Sequence, residues 1–243
     1  MRNFFELWRR EMGAYFHTSM AYGLGAIFMA LTGFSFWRMV DRLARMPADA
    51  VNAIGMLFDS PLYWMAMLTM APMLTMRLFS EERKTGTLEM LLSAPVSSVQ
   101  VVLAKFAGAY TMFLLMWLPT VAYSWVLRRF GTAVGVDFGP LAAGYLGTAL
   151  IGGFFLSVGL FCSLCSRHQM VAGLLCVAAL GILFYTGLPG RGGAAWGDFV
   201  SATRHMADFA RGTVDTRAVF WYASSAVLLL FLSVLLLESR RLR

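Results

Sequence analysis

The chain has 243 residues, of which 59% are hydrophobic and only 14% are charged, and its mean hydropathy is +0.67. A soluble domain is about one quarter charged. It cannot hide this much apolar surface from water, so the composition excludes an ordinary soluble fold and indicates a protein of the lipid bilayer. The formal net charge of +7 does not indicate nucleic-acid binding, because the basic residues are spread over the segments between apolar runs.

The first 17 residues mix aromatic and charged side chains. Phe5, Trp8 and Phe16 alternate with charged residues, a pattern typical of an amphipathic helix that lies in the membrane interface. Charges continue as far as Glu11, whereas a cleavable signal peptide has a short basic start followed by an apolar core. We therefore predict an interfacial helix over residues 1–17, with the simple start of the first span as the alternative.

Six apolar runs follow, each close to the roughly 20 residues that a helix needs to cross a bilayer. Six crossings would place both termini on one side, and the distribution of Arg and Lys favours the cytoplasm for that side only narrowly. Pro72 and Pro119 fall inside the second and third runs and should kink them. The predicted spans cover about residues 19–37, 61–79, 101–127, 140–165, 170–188 and 218–237.

The segment between the fifth and sixth runs is too polar to span a membrane. Trp196, Phe199, Met206 and Phe209 are interspersed with charged residues there, which predicts a short helix over about residues 196–211 on the outer surface. Two roles stay open for this helix: closing the outer end of the bundle, or facing a substrate.

The most polar part of the chain is EERKTGTLEMLLSAPVSSVQVVLAKF, which joins the second and third runs. Its charged start marks the exit of the chain into water, and Gly86 then permits a sharp change of direction. Thr87 can cap a short helix that Pro95 ends. Three leucines share one face of that helix: Leu88, Leu91 and Leu92.

Exposed leucines on a short helix need a groove, formed either by lipid headgroups or by a partner protein. A lipid-bound helix usually carries more Lys and Arg on its polar face, whereas this one carries only Glu89, which favours a protein partner. Ser97 and Gln100 then stand at the spacing of a capping box and start the third span.

This stretch resembles the cytoplasmic loop of ABC type-2 transporter permeases, in which the pattern E-x-x-x-G-T-x-E-x-L-L-x-x-P-V follows the second span. The C-terminal RHMADFARGTVDTRAVFWYASSAVLLLFLSVLLLESRR is similar to the gliding-motility-associated branch of that family. Met206 stands where that branch has Phe after His205, which is a departure from the pattern.

The resemblance implies an all-α integral membrane protein with six transmembrane helices, an N-terminal interfacial helix, a short cytoplasmic coupling helix in the loop 80–100, and a short extracytoplasmic helix. The single transmembrane permease domain would cover residues 1–243, in a bacterial inner membrane with both termini cytoplasmic. By position-for-position match, the residues that would couple to the ATPase are Glu81, Glu82, Lys84, Gly86, Thr87, Leu88, Glu89, Leu91, Leu92 and Pro95.

The same resemblance implies partners. Each permease subunit would pair with a second copy or a homologue and dock its loop helix on a cytosolic ABC ATPase, with export as the expected direction. Some members of the branch work beside a further membrane subunit with a large extracytoplasmic domain. ATP and Mg²⁺ would bind the ATPase, because a phosphate-binding loop needs Gly-Lys-Ser/Thr and neither Lys84 nor Lys105 follows a glycine. We therefore expect no cofactor and no enzymatic activity on this chain.

Competing functions are less well supported. Cys162 and Cys165, with His168 and Cys176 nearby, form a single C-x-x-C pair, which is a weak motif for a metal site. The methionines of the second run could bind copper, but packing between helices explains both these methionines and the cysteines. The spans carry no His, Asp or Glu near their middle, which disfavours ion-coupled transport and an intramembrane enzyme. A membrane scaffold or signalling subunit that binds a cytosolic partner without transport remains the main alternative, and the substrate is not identified.

Overall fold

The computed structural model describes residues 2–45, 53–86, 97–130, 137–187 and 200–241. Within these ranges the regular structure is entirely helical, and a 3₁₀ turn at Leu118–Thr120 joins α6 to α7. The helices are α1 (Arg2–His17), α2 (Ser19–Arg45), α3 (Ala53–Phe58), α4 (Pro61–Thr75), α5 (Ser80–Thr85), α6 (Ser98–Trp117), α7 (Val121–Phe130), α8 (Phe138–Cys165), α9 (Gln169–Thr186), α10 (Ala202–Ala210) and α11 (Thr216–Arg241).

Four helical stretches within the described ranges are long and apolar enough to cross a membrane. They are Ser19–Arg45, Ser98–Arg129, Phe138–Cys165 and Thr216–Ser239, and they make the chain a multi-pass all-α membrane protein. The second and fifth predicted spans are shorter helices: α4 has 15 residues and α9 has 18. Helix α4 ends at Thr75 and the chain turns before α5 begins at Ser80, so the helix is shorter than the second predicted span of about residues 61–79.

The two prolines inside apolar runs act differently. At Pro119 the α-helical path is interrupted, because α6 ends at Trp117 and the 3₁₀ turn precedes α7. This agrees with the predicted break, since proline cannot donate the hydrogen bond that would continue the ladder. At Pro72 the helix continues for three more residues, to Thr75.

Helix α4 is buried over most of its surface, although Met65 near its start is 55% exposed. A helix that is largely apolar all round is typically a buried one, and the methionines of this run fill space between neighbouring helices. Met67 and Met70 are fully buried in the main core, together with Leu74.

Glycines on α8 allow its neighbours to approach closely. A Cβ atom at Gly144 would collide with the ring of Phe58, and one at Gly152 would collide with the ring of Phe113. Gly147 lies under Phe209 of α10 in the same way. Small residues are a common means of close helix packing in membranes, so α8 is the surface on which α3, α6 and α10 assemble.

Both terminal helices reach the same end of the bundle, which we call the loop end because Gly86 and Ser97 flank the loop there. Leu237 near the end of α11 packs with Phe79 and Leu164, and residues of α1 pack against the same cluster. The opposite end, which we call the far end, carries α3 and α10.

Helix α10 forms part of the core at the far end. Its Met206 and Phe209 are fully buried, and the hydroxyl group of Tyr63 lies 2.9 Å from Thr148 Oγ1 and 3.7 Å from the sulfur of Met206. The predicted outer helix is thus present from Ala202, and the start of the predicted range, at residues 196–199, lies outside the described residues. Of the two roles left open, this packing supports closure of the bundle.

His205 lies on α10 beside the last helix. Its Nδ1 is 2.9 Å from the hydroxyl oxygen of Tyr222 on α11. Burial lowers the pKa of His205, and the nearby carboxylates of Asp208 and Asp215 oppose this shift in part. The histidine is therefore held mainly neutral at neutral pH.

We predict that Gly147→Ala destabilises the bundle by about 1–3 kcal/mol, because overpacking forces well-ordered neighbours to move. The added Cβ would lie 2.8 Å from Cδ2 of Phe209 and 3.1 Å from the sulfur of Met206. Gly181→Ala is the matched control, since no atom lies within 4 Å of a Cβ at that helical position. Denaturant titration in detergent micelles measures both variants, and equal stabilities would contradict the packing described.

We also predict that acid weakens the far end through His205. A histidine whose pKa is lower in the folded chain than in the unfolded one binds fewer protons when folded, so its contribution is complete above pH 6.5 and is lost as the pH falls from there through the lower pKa of the folded state. The melting temperature of wild type should therefore fall on acidification more than that of His205→Gln. His168→Gln, which changes an exposed histidine at the loop end, should behave like wild type. An equal acid-induced fall in the His205→Gln variant would refute this assignment.

Candidate coupling site

The chain enters the loop through the short helix α5. Glu81 and Glu82 lie in its first turn and Arg83 and Lys84 in its last, an order that complements the helix dipole. Gly86 caps the helix with φ of +72°, in the left-handed region that glycine adopts without steric cost. The change of direction predicted at Gly86 is therefore confirmed.

The turn between α4 and α5 is fixed by one buried hydroxyl group on α8. Ser163 Oγ accepts hydrogen bonds from the backbone N–H groups of Phe79, at 3.1 Å, and Ser80, at 3.3 Å. It also donates to the carbonyl oxygen of Met76 at 3.3 Å. Because buried backbone groups must be hydrogen-bonded, this serine sets where α4 ends and where α5 begins.

Helix α5 also binds the end of α8. Arg83 Nη1 donates to the backbone carbonyl of Leu164 at 2.9 Å. Helix α8 ends one residue later at Cys165, so this carbonyl is one of the last four that have no partner within the helix. A basic side chain at that position also interacts favourably with the helix dipole.

A buried lysine joins α5 to two other helices. Lys105 Nζ on α6 lies 2.8 Å from Glu82 Oε1 on α5 and 3.0 Å from Glu11 Oε1 on α1. The side chain of Lys105 is 4% exposed, that of Glu82 20% and that of Glu11 12%. The Lys105 ammonium also lies 5.2 Å from the centre of the Phe79 ring. Such burial of a charge is tolerated because both carboxylates face it.

Arg10 completes the charge balance of this group. Its Nη2 lies 3.3 Å from Glu11 Oε1 and 3.6 Å from Glu82 Oε1, at a more exposed position. Two cations therefore face two carboxylates. We call Arg10, Glu11, Glu82 and Lys105 the Lys105 cluster.

Helix α1 is held along α6 and α4 by further contacts. Trp8 Nε1 donates to Thr111 Oγ1 at 3.3 Å, and the hydroxyl group of Tyr15 donates to the carbonyl oxygen of Leu74 at 2.7 Å. Burial raises the pKa of Tyr15, so its phenol stays protonated and remains a donor. Phe5 and Phe16 stay exposed, as expected of an amphipathic helix with a face toward lipid.

The structure places part of the predicted coupling set. Glu82 belongs to the Lys105 cluster, and Glu81 accepts from Arg77 Nε at 3.0 Å. Lys84 is exposed and Gly86 forms the cap. The remaining predicted residues lie outside the described residues: Thr87, Leu88, Glu89, Leu91, Leu92 and Pro95.

The loop returns to the bundle at Ser97. The side chain of Ser97 accepts from the backbone N–H of Gln100 at 3.3 Å and caps α6. The serine cap predicted at Ser97 is present, and the helix that carries the third predicted span begins at Ser98.

The sequence reasoning did not identify Glu11, Lys105 or Ser163 as part of this site. Glu11 and Lys105 are 94 positions apart, and Ser163 binds backbone groups 83 and 84 positions away. One signal was available, because a lysine inside an apolar run must have an acidic partner or reach water. The sequence does not show which acid that partner is.

Comparison with known proteins gives one family match. The model of a family described as ABC-2 family transporter protein matches residues 47–190, which is more than half of the chain. The match runs from before α3 to beyond α9 and includes the whole loop 80–100. No curated protein matches the chain.

We predict that Lys105→Met destabilises the protein by about 3–5 kcal/mol, because it leaves two largely buried carboxylates without their buried cation and with only the longer contacts to Arg10. Adding Glu11→Gln and Glu82→Gln to that variant should restore most of the loss. Arg45→Gln serves as the control, since its pair with Asp41 is exposed and should contribute less than about 1 kcal/mol.

Denaturant titration in micelles measures these variants, and protease cleavage between α1 and α2 reports release of the N-terminal helix. If Lys105→Met and Arg45→Gln had the same free energy of unfolding, the Lys105 cluster would not hold the three helices together.

Proposed function

This chain belongs to the ABC-2 family of transporter proteins, which are membrane subunits that associate with an ABC ATPase. On that premise we propose how this chain couples the work of the ATPase to movement of its own membrane helices. In our proposal residues 80–100 receive the movement of a cytosolic ATPase and pass it to the helices of the bundle. ATP and Mg²⁺ bind the ATPase subunit, and this permease subunit catalyses no reaction itself.

The observation that carries this proposal is the rigid attachment at the base of the loop. Helix α5 is held to α1 and α6 through Glu82, and to α8 through Arg83. Ser97 fixes the other side of the loop to the start of α6. A force applied to residues 87–94 would therefore reach α4, α6 and α8 directly, with little of it lost in bending.

The proposal includes a membrane topology. Helices α4 and α9 join the four long apolar helices as six crossings within one permease domain over residues 1–243. The loop, α1 and the end of α11 then share the cytoplasmic side of a bacterial inner membrane. This is supported by the packing of Leu237, Phe79 and α1 in one cluster at the loop end.

Further parts of the proposal rest on the family resemblance. Two copies of this chain, or one copy and a homologue, would line the pathway. Export is the proposed direction, and the C-terminal sequence favours the gliding-motility-associated branch, some members of which have an auxiliary membrane subunit.

The test is co-purification of an ATPase through a tag on this chain. We expect wild type to recover a nucleotide-hydrolysing subunit and Glu89→Arg to lose it, because the change reverses the charge of the single acid in the leucine-bearing segment. Glu238→Arg is the matched control, with the same change of charge at an exposed loop-end position. Equal recovery by wild type and Glu89→Arg would reject the coupling role and favour a scaffold function.

Gly86 gives a second arm of the same test. No atom lies within 4 Å of a Cβ at Gly86, so a substitution there acts through the backbone alone. Valine is strained at φ of +72°, whereas asparagine tolerates that region. Gly86→Val should therefore reduce ATPase recovery while the bundle keeps its melting temperature, and Gly86→Asn should resemble wild type. Full recovery of the ATPase by Gly86→Val would show that ATPase binding does not depend on the direction in which the loop leaves α5.

A further inference from the structure

A cavity of about 890 Å³ opens at the loop end, where α1 meets α2 and the turn after α4. This volume is in the usual range for sites that bind small molecules. Its apolar lining includes Ala21, Leu24, Met73 and Leu74. Its polar wall carries charged side chains of both signs, so the cavity is amphipathic.

Arg77 on this wall has unused capacity to bind an anion. Its Nε and Nη2 atoms donate to Glu81 at 3.0 and 3.2 Å. Its Nη1 donates to the sulfur of Met20 at 3.5 Å, and a thioether is a weak acceptor. A phosphate oxygen would be a much stronger partner for that group, since guanidinium groups suit the geometry of phosphate.

Arg10 is a second donor on the same wall. Its side chain is 55% exposed, and its contacts with Glu11 and Glu82 are long, at 3.3 and 3.6 Å. Two arginines with capacity for an oxyanion therefore line one cavity.

The charges of the wall balance, however. Arg10, Arg77 and Lys105 face the carboxylates of Glu11, Glu81 and Glu82, so the cavity does not select a strongly charged anion. Glu81 is 47% exposed, and a carboxylate offers about four acceptor sites, so it can accept from a ligand ammonium in addition to the partners it already has. The wall thus offers partners to a phosphate and to an ammonium group in the same ligand.

The position of the cavity identifies the source of such a ligand. It lies at the junction of α1, whose aromatic side chains Phe5 and Phe16 are exposed, with the first long apolar helix. In a membrane this is the level of the headgroups, with acyl chains directly beside the apolar wall. A phospholipid supplies both the polar head and the apolar tail.

We propose that this cavity binds one zwitterionic phospholipid whose head carries a phosphate and a primary ammonium group, as in phosphatidylethanolamine. Arg10 and Arg77 bind the phosphate, Glu81 accepts from the ammonium, and an acyl chain lies along Ala21, Leu24 and Leu74. The site shares Glu81 with the proposed coupling set, whereas Arg10, Arg77 and the apolar wall lie outside residues 80–100. Lipid binding can be measured without the ATPase, so it is tested independently of the proposed function.

The test uses the delipidated protein in detergent and follows its melting temperature and its lipid adducts by native mass spectrometry. Phosphatidylethanolamine should raise the melting temperature and be retained as a single adduct. Diacylglycerol, which lacks the head, and inorganic phosphate, which lacks the tail, should do neither. If inorganic phosphate alone stabilised the protein, the ligand would be a free anion and not a lipid. If phosphatidylglycerol, which lacks the ammonium group, bound as tightly as phosphatidylethanolamine, Glu81 would have no role in recognising the ammonium.

Matched variants locate the site. Arg77→Gln should weaken phosphatidylethanolamine binding about tenfold, because it removes a charge-assisted hydrogen bond. Arg129→Gln, which removes the same charge from an exposed position on α7, should bind as wild type does.

Ala14→Trp supplies a variant that keeps every charge. Ala14 is exposed on α1 and lines the cavity, so an indole there fills the space without entering the core. Binding should be lost while the melting temperature of the lipid-free protein is kept. Unchanged binding in both Arg77→Gln and Ala14→Trp would overturn the proposal.

Discussion

The arrangement of the loop end depends on one buried charge. An ammonium group that is 4% exposed cannot be left alone in a protein of the bilayer, and Lys105 meets this demand with carboxylates from α1 and α5. The demand fixes three helices relative to one another, because moving any one of them would leave a charge without its partner. The short helix that begins the loop therefore has a fixed position, although it has only six residues and little apolar surface of its own.

The two ends of the bundle are built from different interactions. At the loop end, ion pairs and hydrogen bonds to backbone carbonyls connect helices that are far apart in sequence. At the far end, aromatic rings and hydroxyl groups do so, as in the contact of Tyr63 with Thr148 and the burial of Phe209 against Gly147. Separating the charged groups of the loop end would leave a buried charge unpaired, whereas apolar contacts depend mainly on buried area.

Local signals in the sequence were enough to predict most of the helices and where some of them begin or end. Apolar runs predicted the helices, Ser97 predicted a cap, and Gly86 predicted a turn, because each of these depends on neighbouring residues. The end of α4 at Thr75 was not predictable, since the turn after it is fixed by Ser163, which lies on another helix. The partners of Lys105 were missed for the same reason: the choice among six glutamates is made by tertiary packing. Residues 87–96 carry most of the predicted coupling set, and for them the sequence remains the only guide.

The spacing of the Lys105 cluster has a consequence for how the protein is made. Glu11 leaves the ribosome 94 residues before Lys105, which is about 5–20 seconds at ordinary rates of synthesis. During that interval Glu11 has the exposed Arg10 beside it but lacks its buried partner Lys105, and the aromatic face of α1 helps to hold the helix at the membrane surface. The first helix of the chain therefore takes its final place only after the second long apolar helix, which carries Lys105, has been inserted.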